Sequence, residues 1–175
     1  MAIRKKRIET LTQKILHECN VVEPPVPIEG IVKRYGLQLH FQALQSDLSG
    51  FLYREQENGI IGVNSIHAKV RQRFTIAHEL GHFLLHQNDS LHVDRAVHVK
   101  FRGNLSKQGI DTDEMEANLF AAEILMPQDL IVREFERNEP IDILDEDFIV
   151  QLAHQYNVSM QALILRLVNL RYIEE

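Results

Sequence analysis

Residues 73–86 read Arg-Phe-Thr-Ile-Ala-His-Glu-Leu-Gly-His-Phe-Leu-Leu-His, and this stretch decides how the rest of the chain is interpreted. It lies within a segment, Lys69 to His86, whose apolar residues recur at helical spacing, so we predict a long amphipathic helix. His78 and His82 are four residues apart, which places both imidazoles on one helix face about one turn from each other. Two neutral imidazoles at that spacing can bind one metal ion.

Glu79 follows the first histidine and projects towards the open side of the same metal. There it can take a proton from a water molecule at the metal and pass it to a leaving amine. This is the His-Glu-x-x-His pattern of zinc metalloproteases, and Gly81 removes bulk beside it. We therefore predict a Zn²⁺ site with Glu79 as the catalytic base. The alternative is a pair of partly buried histidines on a core-facing helix.

A catalytic zinc needs a third protein ligand and one open position. His86 continues the histidine series, but residues at i, i+4 and i+8 span about 12 Å along a helix axis, too far for one ion. We expect His86 to contact a ligand or the surrounding structure rather than the metal.

A second predicted helix, Asp113 to Leu125, offers better candidates for the third ligand. Glu114 and Glu116 point roughly 200° apart around this helix, so only one of them can face the site. Glu123 is a weaker third candidate. Asn118 shares a face with Glu114 and can hydrogen-bond a ligating histidine.

The remaining pattern predicts a mixture of helices and short strands. Further helices are expected at residues 4–20, 28–35 and 127–137, with at least two within 145–172, broken near Asn157. Strands are expected at residues 37–41, 49–54 and 60–64, forming an antiparallel sheet with a hairpin turn at Asn58-Gly59, and a further strand within 91–101.

The composition narrows the class of protein. The chain has 175 residues, 45% of them hydrophobic, which suits one ordinary domain with a real core. A formal charge of -6 argues against a dedicated nucleic-acid binder, and we interpret the basic residues 4–7 as a solvated helix start. A single cysteine, Cys19, excludes an internal disulfide and a four-cysteine zinc site. With no signal peptide or apolar run of membrane length, we expect a cytoplasmic protein that does not bind membranes.

Two long motifs resemble the ImmA/IrrE family of metallopeptidases. They are residues 73–86, quoted above, and residues 114–127, which read Glu-Met-Glu-Ala-Asn-Leu-Phe-Ala-Ala-Glu-Ile-Leu-Met-Pro. Residues 49–53 and 61–64 are similar to the family's sheet, and the resemblance covers roughly residues 25–170.

The resemblance implies an α+β fold, the minimal zincin-like metallopeptidase fold, in which a small antiparallel or mixed sheet packs on the His-Glu-x-x-His helix and helices follow. It implies Zn²⁺ held by His78, His82 and Glu114, with Glu79 as the base. From their positions on the two helices, we expect Asn118 and His86 to touch the ligands. We expect a single domain over residues 1–175, with a catalytic core at 25–137 and a helical part at 138–175. Relatives with an extra helix-turn-helix or sensory domain are longer, so we expect only the catalytic module here.

The resemblance also implies a zinc endopeptidase that cleaves a helix-turn-helix repressor, since known members relieve repression in mobile elements, phages and stress responses, and related proteins occur beside toxin–antitoxin-type regulators. His86, His92, His98 and Tyr53 are possible additional donors to the substrate. One alternative is a regulator that binds and antagonises its repressor without cutting it. Another is a DNA-associated module, because residues 149–162 look superficially like a helix-turn-helix. Only Gln161, Arg166 and Asn169 suit a recognition helix there, so we expect no direct nucleic-acid binding.

Overall fold

The computed structural model describes residues 2–55, 58–86, 91–95, 112–137 and 145–173. Within these ranges the chain forms helices and a small sheet, as expected from the sequence. The helices are α1 Lys5–Glu18, α2 Ile28–Arg34, α3 Lys69–Leu85, α4 Thr112–Leu125, α5 Gln128–Arg137, α6 Glu146–Tyr156 and α7 Met160–Asn169. The strands are β1 Leu37–Gln42, β2 Leu48–Glu55, β3 Asn58–Asn64 and β4 Leu91–Arg95.

The four strands form one mixed sheet in the order β1-β3-β2-β4. Strand β2 is antiparallel to both β3 and β4, whereas β1 runs parallel to β3. The expectation of a purely antiparallel arrangement for the first three strands is therefore wrong for β1. Alternation of apolar and polar residues has the same period in both kinds of pairing, so it carries no information on strand direction.

The hairpin between β2 and β3 is present, but Asn58 and Gly59 do not form its turn. They are the first residues of β3, opposite Glu55 and Arg54 of β2. A Cβ on Gly59 would lie 2.8 Å from Leu37 Cδ2 and 2.9 Å from the Tyr53 carbonyl oxygen. This glycine is therefore required for close packing between neighbouring strands rather than for a turn conformation. The strand predicted within residues 91–101 is described only up to Arg95, since the residues after it lie outside the described part of the chain.

Helix α3 lies against one face of the sheet. Leu52, Ile61 and Val63 of the sheet and Ile76 and Leu80 of the helix are all buried. Their side chains form the centre of the hydrophobic core. The approach is closest at Gly50, where a Cβ would lie 2.5 Å from Thr75 Cγ2 and 2.6 Å from the carbonyl oxygen of Gly62.

Arg54 of β2 fixes the C-terminal end of α3. Its guanidinium donates to the carbonyl oxygens of His82, Phe83 and His86 at 3.2, 3.1 and 2.7 Å. These carbonyls belong to the last turn and its C-cap, where helical partners are lacking, and a cation there also suits the helix dipole. The sheet thereby fixes the position of the segment that carries His82 and His86.

Helix α4 packs across α3 at Gly81. A Cβ at this position would lie 3.1 Å from Phe120 Cδ1 and 3.2 Å from Ala117 Cα. The sequence suggested that Gly81 removes bulk beside the metal. The structure shows that the space it leaves is filled by the backbone of the second helix.

Helices α6 and α7 join at Asn157, which adopts a left-handed conformation with φ of 53°. Arg166 of α7 is 3% exposed and forms a bidentate ion pair with Glu123 of α4, both contacts being 2.7 Å. Glu123, the weaker third candidate for a metal ligand, is thereby engaged elsewhere. Among the described residues, no helix is both long enough and apolar enough to cross a membrane.

Gly50→Ala is expected to destabilise the protein by about 1–3 kcal/mol, because the methyl group meets backbone as well as a side chain. Urea unfolding with a metal chelator present measures this change. Gly30→Ala is the matched control, since its Cβ would have no neighbour closer than 4.0 Å and alanine suits a helix. Equal stability of the two variants would contradict the close approach of sheet and helix.

Candidate metal centre

His78 and His82 present their Nε2 atoms towards one another on the buried face of α3. The two nitrogens are 3.0 Å apart, and the residues are 3% and 4% exposed. The rings meet edge to face with centres 4.6 Å apart. Both side chains thus direct one nitrogen to a common point, as their spacing of four residues predicts.

Glu114 of α4 brings a carboxylate to the same point. Its Oε1 lies 3.2 Å from His82 Nε2, and its Oε2 lies 3.5 Å from His78 Nε2. Donor atoms that bind Zn²⁺ tetrahedrally lie about 3.3–3.5 Å from one another, because each is about 2.0–2.2 Å from the ion. The three groups therefore fit one small divalent cation without rearrangement.

Glu79 is fully buried beside this cluster. Neither of its carboxylate oxygens has a hydrogen-bond partner among the residues that the structure describes. Burial raises the pKa of Glu79 well above its usual value, and the nearby carboxylates of Asp94 and Glu114 add to the effect. An unpartnered buried carboxylate is costly, and a cation with its bound solvent would satisfy it.

Asn118 lies one turn after Glu114 on α4. Its Oδ1 is 3.1 Å from His78 Nδ1, so the His78 Nδ1–H donates to it. This hydrogen bond leaves the lone pair of His78 on Nε2, the atom that faces the cluster.

His86 lies at the outer side of His82, away from the point where the three donors meet. Its Nδ1 is 3.2 Å from His82 Nδ1, and its Nε2 is 3.1 Å from Glu116 Oε2 and 3.4 Å from Asp113 Oδ1. His86 therefore contacts His82 and the acids of α4 rather than the point where the three donors meet.

Glu116 is 1% exposed and accepts hydrogen bonds from Arg4. The Arg4 guanidinium lowers the pKa of Glu116 to about 2. The interpretation of residues 4–7 as a solvated helix start is therefore wrong for Arg4. Residues 112 positions apart in the chain meet here, and nothing local in the sequence indicates the contact.

Strand β4 adds two polar residues that the sequence indicated weakly or not at all. His92 Nε2 lies 3.2 Å from Glu114 Oε1, and the His92 ring stacks on that of His82 with centres 3.8 Å apart. Donor atoms of Asp94, His78 and Glu79 lie within 4.8 Å of one another, and burial raises the pKa of Asp94. Alternation along β4 is the signal that places both side chains on the helix-facing side of the sheet.

The other possible donors named from the sequence are not at this point. Tyr53 pairs with Leu91 and is exposed on the outer face of the sheet. His98 lies outside the described residues.

Most of the chain matches a known protein family. Residues 32–168 match the peptidase M78 family, the IrrE N-terminal-like domain. The chain belongs to this family of metallopeptidases, whose members use a divalent metal.

Two relatives show the family at different lengths. The radiation response metalloprotease IrrE of Deinococcus radiodurans is 40% identical over 86 residues, which are 49% of this chain and 25% of that protein. The uncharacterized immunity region protein 2 of Bacillus phage phi105 is 30% identical over 96 residues, 55% of each chain. The match therefore spans about a quarter to a half of these relatives.

A solved structure, a Mycobacterium tuberculosis transcriptional regulator, shares the fold with a TM-score of 0.64 at 18% identity. The similarity covers 93% of this chain and 46% of that one. It supports the α+β zincin-like architecture expected from the sequence.

The raised pKa of Glu79 predicts how the metal-free protein responds to pH. Between the ordinary carboxyl pKa and the raised value, the folded protein holds a proton that the unfolded chain has released, so stability falls as the pH rises. Glu79→Gln removes this contribution to the dependence of stability on pH. With chelator present, we expect the free energy of unfolding of the variant to fall less than that of the parent protein between pH 5 and pH 8. If the free energy of unfolding, measured with urea, changes with pH in the same way for both proteins, the burial of an unpartnered Glu79 carboxylate is contradicted.

Proposed function

We propose that the chain is a zinc-dependent endopeptidase. The observation that carries the proposal is the convergence of His78, His82 and Glu114 at mutual distances of 3.0–3.5 Å beside the buried carboxylate of Glu79. Two imidazoles and one carboxylate form the donor set of catalytic zinc in several peptidases, in which the fourth position stays open. Membership of a metallopeptidase family supports the same conclusion.

Each residue of the centre has a separate task in this proposal. His78, His82 and Glu114 hold Zn²⁺, and Asn118 orients His78. When bound, Zn²⁺ supplies a Lewis acid that polarises the scissile carbonyl and acidifies a water molecule. Glu79 takes the proton from the attacking water and delivers it to the leaving amine.

The substrate peptide is proposed to pair with β4. This strand forms one edge of the described sheet, and an extended peptide can add to such an edge through its backbone. Strand β4 turns His92 and Asp94 towards the centre, whereas Leu91 and Val93 are exposed on the other face. A peptide on this edge would therefore run beside Glu79 and the metal ligands.

His92 is proposed to donate a hydrogen bond to the scissile carbonyl oxygen as negative charge develops there. Two imidazoles that bind one metal tetrahedrally have ring centres about 5 Å apart, because each centre lies about 3.2 Å from the ion. The His92 and His82 rings are only 3.8 Å apart and nearly parallel, at 30°. His92 therefore lies alongside His82 rather than in a ligand position, and its Nε2 is 3.2 Å from Glu114 Oε1, at the edge of the centre where the carbonyl oxygen would lie.

The proposed substrate is a helix-turn-helix transcriptional repressor, and the proposed compartment is the cytoplasm. Support comes from the relatives, one described as a radiation response metalloprotease and another as a phage immunity region protein. Of the side chains suited to a recognition helix, Arg166 is engaged with Glu123 inside the protein. Direct DNA binding through α7 is correspondingly less favoured than recognition of a protein.

Glu79→Gln is expected to retain zinc and to lose, by a factor of about 10² or more, cleavage of a helix-turn-helix repressor that the parent protein cuts. Zinc content by mass spectrometry of metals and product analysis after mixing test both parts. Glu29→Gln, a half-exposed carboxylate on α2, is the control and should cleave normally. Repression relieved without any cut product would favour the non-proteolytic alternative, and cleavage by Glu79→Gln at the parent rate would overturn the mechanism.

His92→Gln is expected to lower kcat by about 10²-fold with little change in KM, because the donated hydrogen bond strengthens only as charge develops on the oxygen. Its zinc content should equal that of the parent protein. His40→Gln, an exposed histidine on the opposite edge strand β1, is the matched control. Loss of zinc from His92→Gln would instead identify His92 as a ligand.

A further inference from the structure

Arg4 connects the beginning of the chain to the two helices that carry the centre. Its backbone N–H donates to Glu116 Oε1 at 2.8 Å, and its Nε lies 3.0 and 3.1 Å from the two carboxylate oxygens. Its Nη2 also contacts Glu116 Oε2 and reaches the Leu85 carbonyl oxygen of α3 at 3.5 Å. Glu116 is thereby held in one orientation by both the side chain and the backbone of a single residue.

The contacts continue from Glu116 to a proposed metal ligand. When His82 binds a cation through Nε2, its proton resides on Nδ1 and can be donated to His86 Nδ1, 3.2 Å away. His86 then carries its own proton on Nε2 and donates it to Glu116 Oε2 at 3.1 Å. The series ends at the Glu116 carboxylate, which is nearer to His86 Nε2 than Asp113 Oδ1 is, at 3.1 Å against 3.4 Å, and which Arg4 holds in place.

We propose that Arg4, Glu116 and His86 form a hydrogen-bonded relay that fixes the tautomer and orientation of His82 and so determines how tightly the centre holds its metal. Arg4 and Glu116 are positioning residues, since neither touches the site of reaction. His78 receives the equivalent support from Asn118 in one step, whereas His82 receives it through a second imidazole. The inference rests on the proposed metal centre but not on any particular substrate.

The relay makes the first residues of the chain part of the metal site. Arg7 lies in α1 less than one turn further along, carries the same charge and is exposed, but no ion pair joins it to the described residues of the centre. Comparing substitutions of Arg4 and Arg7 therefore separates the effect of the relay from the general effect of positive charge in this segment.

The test measures zinc affinity of the full chain by competition with a chromophoric chelator, with no peptide present. Removing a partner that supports a ligating histidine typically weakens metal binding 10- to 100-fold, so Glu116→Gln and Arg4→Gln are expected to weaken zinc binding by about 10-fold or more. Arg4→Lys should recover part of this loss, and Arg7→Gln should bind within about 2-fold of the parent.

A double-mutant cycle distinguishes a relay from a role of Arg4 that only stabilises the packing of the helices. In a His86→Ala background, Arg4→Gln should produce little further loss of affinity, because the connection to His82 is already broken. Equal fold losses with and without His86 would overturn the relay, even if Arg4 stabilises the fold. Urea unfolding of the metal-free variants shows which of them remain folded. If His86→Ala is unfolded, the zinc affinities of Arg4→Lys and Arg4→Gln are compared instead.

The outcomes also distinguish this inference from the proposed function. Zinc binding with the expected coupling but without cleavage of any repressor would retain the relay and reject the peptidase. A parent protein that binds no zinc would overturn both. Tight zinc binding that is unaffected by Arg4→Gln and Glu116→Gln would overturn the relay alone.

Discussion

The close contact between α3 and α4 at Gly81 is the constraint on which the centre depends. A side chain there would meet Ala117 and Phe120 at 3.1–3.3 Å, so only glycine allows the helices to approach this far without a shift. The approach places Glu114 within 3.5 Å of both histidine nitrogens. A displacement of α4 by one ångström would separate the carboxylate from the point where His78 and His82 meet. Packing of apolar residues thus sets the geometry of a charged site.

The same packing concentrates carboxyl groups in a region with little solvent. Glu79, Glu114 and Asp94 raise one another's electrostatic cost, and burial raises the pKa of both Glu79 and Asp94. Glu116 differs because Arg4 neutralises it. A divalent cation would provide Glu79 and Asp94 with the compensation that Arg4 gives Glu116, whereas His78 and His82 already lower the pKa of Glu114. The stability of this fold and its metal binding are therefore coupled through the same buried charges.

The parts of this structure that depend on local spacing could be predicted from the sequence. Apolar periodicity placed α3 and α4, and the interval of four residues placed His78 and His82 on one face. The same interval paired Glu114 with Asn118, but spacing alone did not decide between Glu114 and Glu116, which required the family resemblance. Both acids are in fact engaged near the centre, Glu114 with His78 and His82 and Glu116 with His86.

The parts that were missed depend on contacts between distant segments. The parallel pairing of β1 with β3 leaves no trace in strand alternation, and Asn58-Gly59 looked like a turn because the same residues also suit close strand packing. The pairing of Arg4 with Glu116 joins residues 112 positions apart in the chain, and a basic run ordinarily predicts only solvation. Residues near a metal therefore fall into two groups. The ligands on helices can be read from periodicity, whereas the groups that orient them come from wherever the fold brings a complementary charge.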